Sequence, residues 1–138
     1  MKKVWTGSIA VFFWFFVAGY VFHQYLMAPL YQATASLWRP PEEMKMVVML
    51  ITQVSFSIFF TLIFSKGYTF KGMMEGVRYG FYVAMMVSLP AGYNMYATMP
   101  VPYTFALYWF LGGLVLMIGA GIILSYVFGK KGPEAKVA

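Results

Sequence analysis

The sequence predicts an all-α fold, a bundle of four transmembrane helices whose halves read as two repeated helical hairpins. Three observations carry this. The chain of 138 residues is 62% hydrophobic and only 10% charged, where a soluble domain carries about 25% charge. Apolar runs of bilayer-spanning length, about 20 residues, recur four times. Within two of the runs small or polar residues fall at every fourth position, and a third keeps that spacing with one methionine among them, the spacing that lets helix backbones approach each other in lipid. The helices are expected at about 4–28, 44–65, 73–97 and 102–128. Residues 1–129 then form one transmembrane domain, and 130–138 a polar cytoplasmic tail.

The first run has no charged side chain between Lys3 and Arg39. Its start, "MKK" before apolar residues, imitates a secretory signal, and "ATA" at 33–35 imitates a cleavage site. The run is far longer than the roughly 7–15 residues of a signal core, so it reads as a retained helix. Pro29 breaks it near its end. Residues 30–38 are expected to form a short interfacial helix, with Leu30, Ala33, Leu37 and Trp38 toward lipid. "RPPEE" then supplies a turn and acidic residues suited to the start of the second helix.

The second helix carries Gln53, Ser57 and Thr61 in one stripe, continued by Ser65. This stripe is expected to face the bundle, with Gln53 bridging to a neighbouring helix. The third helix carries Gly72, Gly76, Gly80, Ala84, Ser88 and Gly92, an unbroken small-residue ladder that reads as a helix–helix seam. Pro90 interrupts its hydrogen bonding and is expected to kink it. The fourth helix carries Gly113, Met117, Gly121 and Ser125. A shift of 64 residues superimposes the second-helix stripe on this ladder, pairing Phe64 with Phe128 and Lys66 with Lys130. That offset is the basis of the hairpin repeat.

The net charge of +6 is unevenly placed. Lys2, Lys3, Lys66, Lys71, Arg78, Lys130, Lys131 and Lys136 gather at one end of the expected helices, and only Arg39 and Lys45 at the other, beside Glu42 and Glu43. Basic residues accumulate on the cytoplasmic side, so both termini are expected there, in a bacterial inner membrane. The basic residues orient the chain and meet anionic lipid headgroups. No soluble platform exists to carry nucleic-acid binding.

Chemistry-bearing groups are few. Cysteine is absent, which removes disulfides, thiolate metal sites and iron–sulfur clusters. No nucleophile–base pair, phosphate loop or metal-ligand cluster is legible, so no catalytic or metal site is assigned and the chain is read as a non-enzyme. Glu75 and Arg78, three apart near a helix end, are expected to pair as an interfacial ion pair, with a partner-docking or ion-entry site as the functional rival. The single histidine, His23, is the one cofactor candidate. It sits near the outer end of the first helix, where an imidazole reaches the water boundary, and the reading favoured is an interfacial, hydrogen-bonded histidine. Haem needs a second axial ligand, which this chain could obtain only from a partner. No cofactor is therefore predicted for the chain alone. A haem or quinone shared with a partner, or a proton relay, are the competing readings.

The stretches "YQATASLWRPPEEM" and "IFSKGYTFKGMMEGVRYG", followed by the apolar fourth run, resemble a family of small uncharacterised bacterial four-helix membrane proteins. The resemblance is clearest at residues 37–40, 66–67 and 75–80. It implies the fold and a bacterial membrane location, and carries no activity with it. The expected function is an accessory, assembly or structural subunit of a larger membrane complex, with respiratory and other electron-transfer assemblies among the candidates. The alternative is a small oligomeric transporter or channel. Expected partners are membrane lipids and either other membrane subunits or further copies of the chain.

Overall fold

The computed structural model describes residues 1–129, and the regular structure within them is entirely helical. The tail at 130–138, with Lys130, Lys131 and Lys136, lies outside the described residues. α1 spans Lys2–Val21 and continues through a π-helical turn at Phe22–Leu26. α2 is short, Ala28–Ala33, and runs into a 3₁₀ turn at Ala35–Leu37; a second 3₁₀ turn covers Pro41–Glu43. Three long helices follow: α3 Met46–Gly67, α4 Met73–Thr98 and α5 Tyr103–Phe128.

Among the described residues, three helical stretches are long and apolar enough to cross a membrane: Lys2–Leu26, Met46–Gly67 and Tyr103–Phe128. The expectation of four spans narrows accordingly. At 26 residues, α4 is about 39 Å long, ample for a bilayer. Its apolar side chains are diluted by the glycine ladder, by Ser88 and Asn94, and by Glu75 and Arg78 near its start. α4 also runs through Pro90 as one continuous helix.

α5 is central. α4 lies along nearly its whole length, and α1 packs between α5 and α3. α3 makes few contacts with α5. Two apolar clusters fill the spaces. Val11, Phe15, Phe60, Phe64, Leu124 and Phe128 belong to the first, which joins α1, α3 and α5. Phe22, Met27, Val101 and Phe105 form the second, at the far end of α1.

The end holding the start of α1 and the end of α5 is tied by polar contacts. The last carbonyls of a helix have no partner within it. Here the Lys3 ammonium donates to the Phe128 carbonyl at 2.7 Å, and the Tyr68 hydroxyl, just past α3, donates to the Gly129 carbonyl at 2.9 Å. A cation at that position also suits the negative end of the α5 dipole. Tyr79 of α4 reaches α3 by donating to the Phe60 carbonyl at 2.6 Å.

Candidate functional site

The far end of α1 joins hydrogen bonds and ring contacts around the single histidine. The widened turn Phe22–Leu26 closes with the Met27 N–H donating to the Phe22 carbonyl at 3.0 Å, one residue beyond the α-helical pattern. Such π-turns recur at functional positions. The turn aims Phe22 and the fully buried Met27 inward and sets His23 beside α5.

The chain then doubles back over the start of α5. The Thr34 hydroxyl donates to the Leu30 carbonyl at 2.7 Å and accepts the Trp38 indole N–H at 2.8 Å. Trp38 lies flat on Phe105, centroids 5.5 Å apart at 15°, and Phe105 lies flat on Trp109 at 5.7 Å and 18°. Tyr31 meets Phe105 and Trp38 edge-on. This corrects the expectation that Leu30, Leu37 and Trp38 face lipid: all three pack against the cluster built on Phe105 and Met27. Ala33 stays exposed. Residues 30–38 form the end of α2 and a 3₁₀ turn, not one interfacial helix.

His23 closes this aromatic cluster. Its Nδ1 shares a 2.8 Å hydrogen bond with the Tyr31 hydroxyl. Its ring lies over Tyr31 at 5.9 Å and meets Trp109 edge-on at 5.3 Å. Burial pushes the Tyr31 phenol up to about 12, so Tyr31 stays neutral at physiological pH. The pair clamps the returning segment to α1 through this hydrogen bond. Each aromatic contact adds about 0.5–1.5 kcal/mol beyond burial alone.

The α4–α5 seam is the second feature. A Cβ added at Gly76 would overlap the Gly121 carbonyl and the Ser125 hydroxyl; at Gly80 it would overlap the Met117 carbonyl. Gly113 sits against the Ser88 side chain, and Gly92 against the Ala106 carbonyl. Ala84, Ser88, Gly121 and Ser125 are buried. Gly72 departs from the ladder. It is the N-cap of α4, with φ +92° and open space around it, and glycine suits that backbone conformation.

Two expected pairings take a different form. The Gln53 side chain makes its contact at 3.5 Å to Ser57 on its own helix, not across to a neighbour. Ser57 donates to the Gln53 carbonyl at 2.8 Å and Thr61 to the Ser57 carbonyl at 2.9 Å. This i to i−4 back-bonding satisfies the hydroxyls locally. Glu75 is engaged by the preceding loop rather than by Arg78. Its carboxylate accepts the Thr69 N–H, the Thr69 hydroxyl at 2.9 Å and the Lys71 N–H at 3.0 Å. Glu75 is the third residue of α4 after its cap, the position from which a glutamate reaches back to cap the helix start. Arg78 and Glu75 do line one shallow polar pocket of ≈350 Å³, with Lys71, Thr69 and Met74.

Tyr31, Thr34 and Phe105 were not singled out from the sequence. Their signal was present as spacing: Tyr31, Thr34 and Trp38 fall at i, i+3 and i+7, and Phe105 and Trp109 at i and i+4, which places each set on one helical face. No family model matches the chain, and no curated protein or solved structure matches it.

Proposed function

We propose that the chain is a non-catalytic accessory subunit of a larger membrane complex, spanning a bacterial plasma membrane four times with both termini cytoplasmic. The observation that carries the reading is the first half of α3. Met46, Val47, Val48, Met49, Leu50 and Ile51 are apolar and exposed, covering every direction around the helix axis. Nearly two turns of helix thus have no neighbour within the chain, while α4 and α5 are packed backbone to backbone. A subunit that closes only part of its own helix surface keeps the remainder for another chain. α4 counts as the fourth span because it runs antiparallel to α5 along a matching 26 residues. Lys2, Lys3, Lys66, Lys71 and Arg78 at one end support the cytoplasmic termini. His23 serves the aromatic clamp in this reading; a haem or quinone shared with the partner would need its second ligand from that partner.

The test is purification of the native protein in mild detergent with identification of co-purifying chains. A stoichiometric membrane partner, lost when Val48 and Ile51 are replaced by serine, is the expected result. A lone homo-oligomer that conducts solute across liposomes would overturn the reading in favour of a small transporter. Reporter fusions at residue 3 and in the 67–72 loop should read as cytoplasmic, and a periplasmic signal at either would overturn the topology.

A further inference from the structure

Between the second half of α1 and the first half of α5 lies an open groove of ≈370 Å³ with almost no polar surface. Trp14, Ala18, Val21 and Leu26 form one wall, and Tyr108, Leu111 and Val115 the other. Phe22 packs over Gly112 beneath it, where any Cβ on Gly112 would strike the ring. Trp14 is fixed in turn by donating its indole N–H to the Leu116 carbonyl at 2.8 Å, and it rests over Gly119. The walls are therefore held in place from behind.

We propose that this groove holds one acyl chain of a membrane phospholipid as a resident part of the folded protein. The groove's length is the first argument. From Trp14 to Leu26 is twelve residues of helix, about 18 Å, close to the roughly 15 Å depth of one leaflet's hydrocarbon. It starts near the middle of α1 and ends at its outer turn, the path of one lipid tail. Its width is the second argument. A volume of ≈370 Å³ over that length leaves a cross-section of roughly 20 Å², far below that of a helix about 10–12 Å across. A partner helix can lie over the groove but cannot fill it, whereas a flexible hydrocarbon chain can. Lining chemistry is the third. The walls offer no charge to bind a polar ligand, and Tyr108, near the start of α5, stands at the end nearest the headgroups. The inference rests on the membrane placement of α1 and α5 and is independent of any partner subunit.

The test uses the full chain in vesicles of phosphatidylethanolamine and phosphatidylglycerol containing a phospholipid with a photoreactive diazirine on its acyl chain. Crosslinked residues are mapped by mass spectrometry. Crosslinks should concentrate at Val21, Leu111 and Val115, and at half-buried Ala18 between them, over exposed positions outside the groove such as Phe13, Phe16 and Ile63. An even spread over all these positions would overturn the proposal, as would crosslinking of the groove residues to protein alone. Native mass spectrometry gives a second reading. One phospholipid per chain should survive mild detergent. Ala18→Phe fills the groove and should lower that retention about tenfold, the equivalent of roughly two buried methylenes. Val17→Phe, on a lipid-facing position 59% exposed, should leave it unchanged. Equal retention in both variants would overturn the proposal, and the wild-type crosslinking map tests it even if Ala18→Phe does not fold.

Discussion

α3 and α4 each carry a small or polar residue at every fourth position, and each has a long neighbour, yet they pack in opposite ways. On α4 the repeated positions are glycine, alanine and serine, and the α5 backbone lies against Gly76 and Gly80 with no room for one extra carbon. On α3 they are Gln53, Ser57, Thr61 and Ser65, whose side chains turn back to carbonyls or hydroxyls of their own helix. Such hydroxyls have little left to offer a neighbour. α3 is held instead by rings: Phe56 and Phe60 meet Phe15 of α1, and Phe60 and Phe64 meet Tyr79 of α4. These rings lie in the second half of α3, so its first half remains bare. Where lipid supplies no hydrophobic drive between helices, missing side chains bring backbones together more effectively than polar ones satisfied within their own helix.

The largest predicted effect tests the seam directly. Gly80→Leu must push the α5 backbone away and is expected to cost about 3 kcal/mol, read as loss of helical signal at lower denaturant in an SDS titration of the micelle-bound protein. Tyr82→Leu, on a side chain 66% exposed, should lie within about 0.5 kcal/mol of wild type. Equal costs for the two would show that the glycine face of α4 is no more closely packed than its exposed face. Next is Thr34→Val, which leaves the Trp38 indole N–H without its acceptor. A cost of about 1–2 kcal/mol is expected, with a changed near-ultraviolet circular dichroism from the stacked rings. His23→Gln keeps a hydrogen-bonding group near Tyr31 and loses the ring contacts to Phe22, Tyr31 and Trp109; it should cost about 1 kcal/mol and leave assembly intact. Disappearance of a haem absorption band from the purified complex on that substitution would show instead that His23 ligates a shared cofactor. The smallest effect belongs to the bare half of α3. Val48→Ala should change the stability of the isolated chain by less than about 0.5 kcal/mol, and a larger loss would mean that this surface is packed within a self-assembled form.

The long helices were legible in the sequence because bilayer-length apolar runs leave little choice of secondary structure. The expected bounds of 73–97 and 102–128 lie within a residue of α4 and α5 at both ends. Glycine spacing likewise pointed to the face of α4 that lies against α5, since a missing side chain is visible in the sequence itself. Hydroxyls were ambiguous: a serine at the right spacing can face a neighbour or bond its own helix, and only the rotamer decides. Glu75 showed the same limit. Arg78 was near enough in sequence to suggest an ion pair, but the loop amides of Thr69 and Lys71 already engage the carboxylate. The turn at Phe22–Leu26 left no mark, because no residue type marks a π-turn. Without it, the return of residues 28–38 onto α5 could not be anticipated, and an aromatic-rich segment read as lipid-facing.

That turn has a consequence for how the chain tolerates length changes. One residue more or fewer in an uninterrupted α-helix shifts the phase of everything after it by about 100°. The five-residue turn Phe22–Leu26 makes the rotation that an α-helical turn makes in four, so removing Gln24 or Tyr25, both exposed, would let the turn revert to the α-helical ladder and leave α2 against α5, with Tyr31 and Trp38 still on His23 and Phe105. Near-ultraviolet circular dichroism of such a deletion should keep the signal of the stacked rings, whereas removing exposed Tyr20 from the α-helical ladder before the turn should lose it while far-ultraviolet helicity persists. An insertion or deletion in the exposed 39–45 connection, which is free of these contacts, should leave both signals in place. The five-residue turn thus acts as a phase buffer, absorbing one residue without rotating the segment that follows, while Phe22 and His23 within it make the contacts.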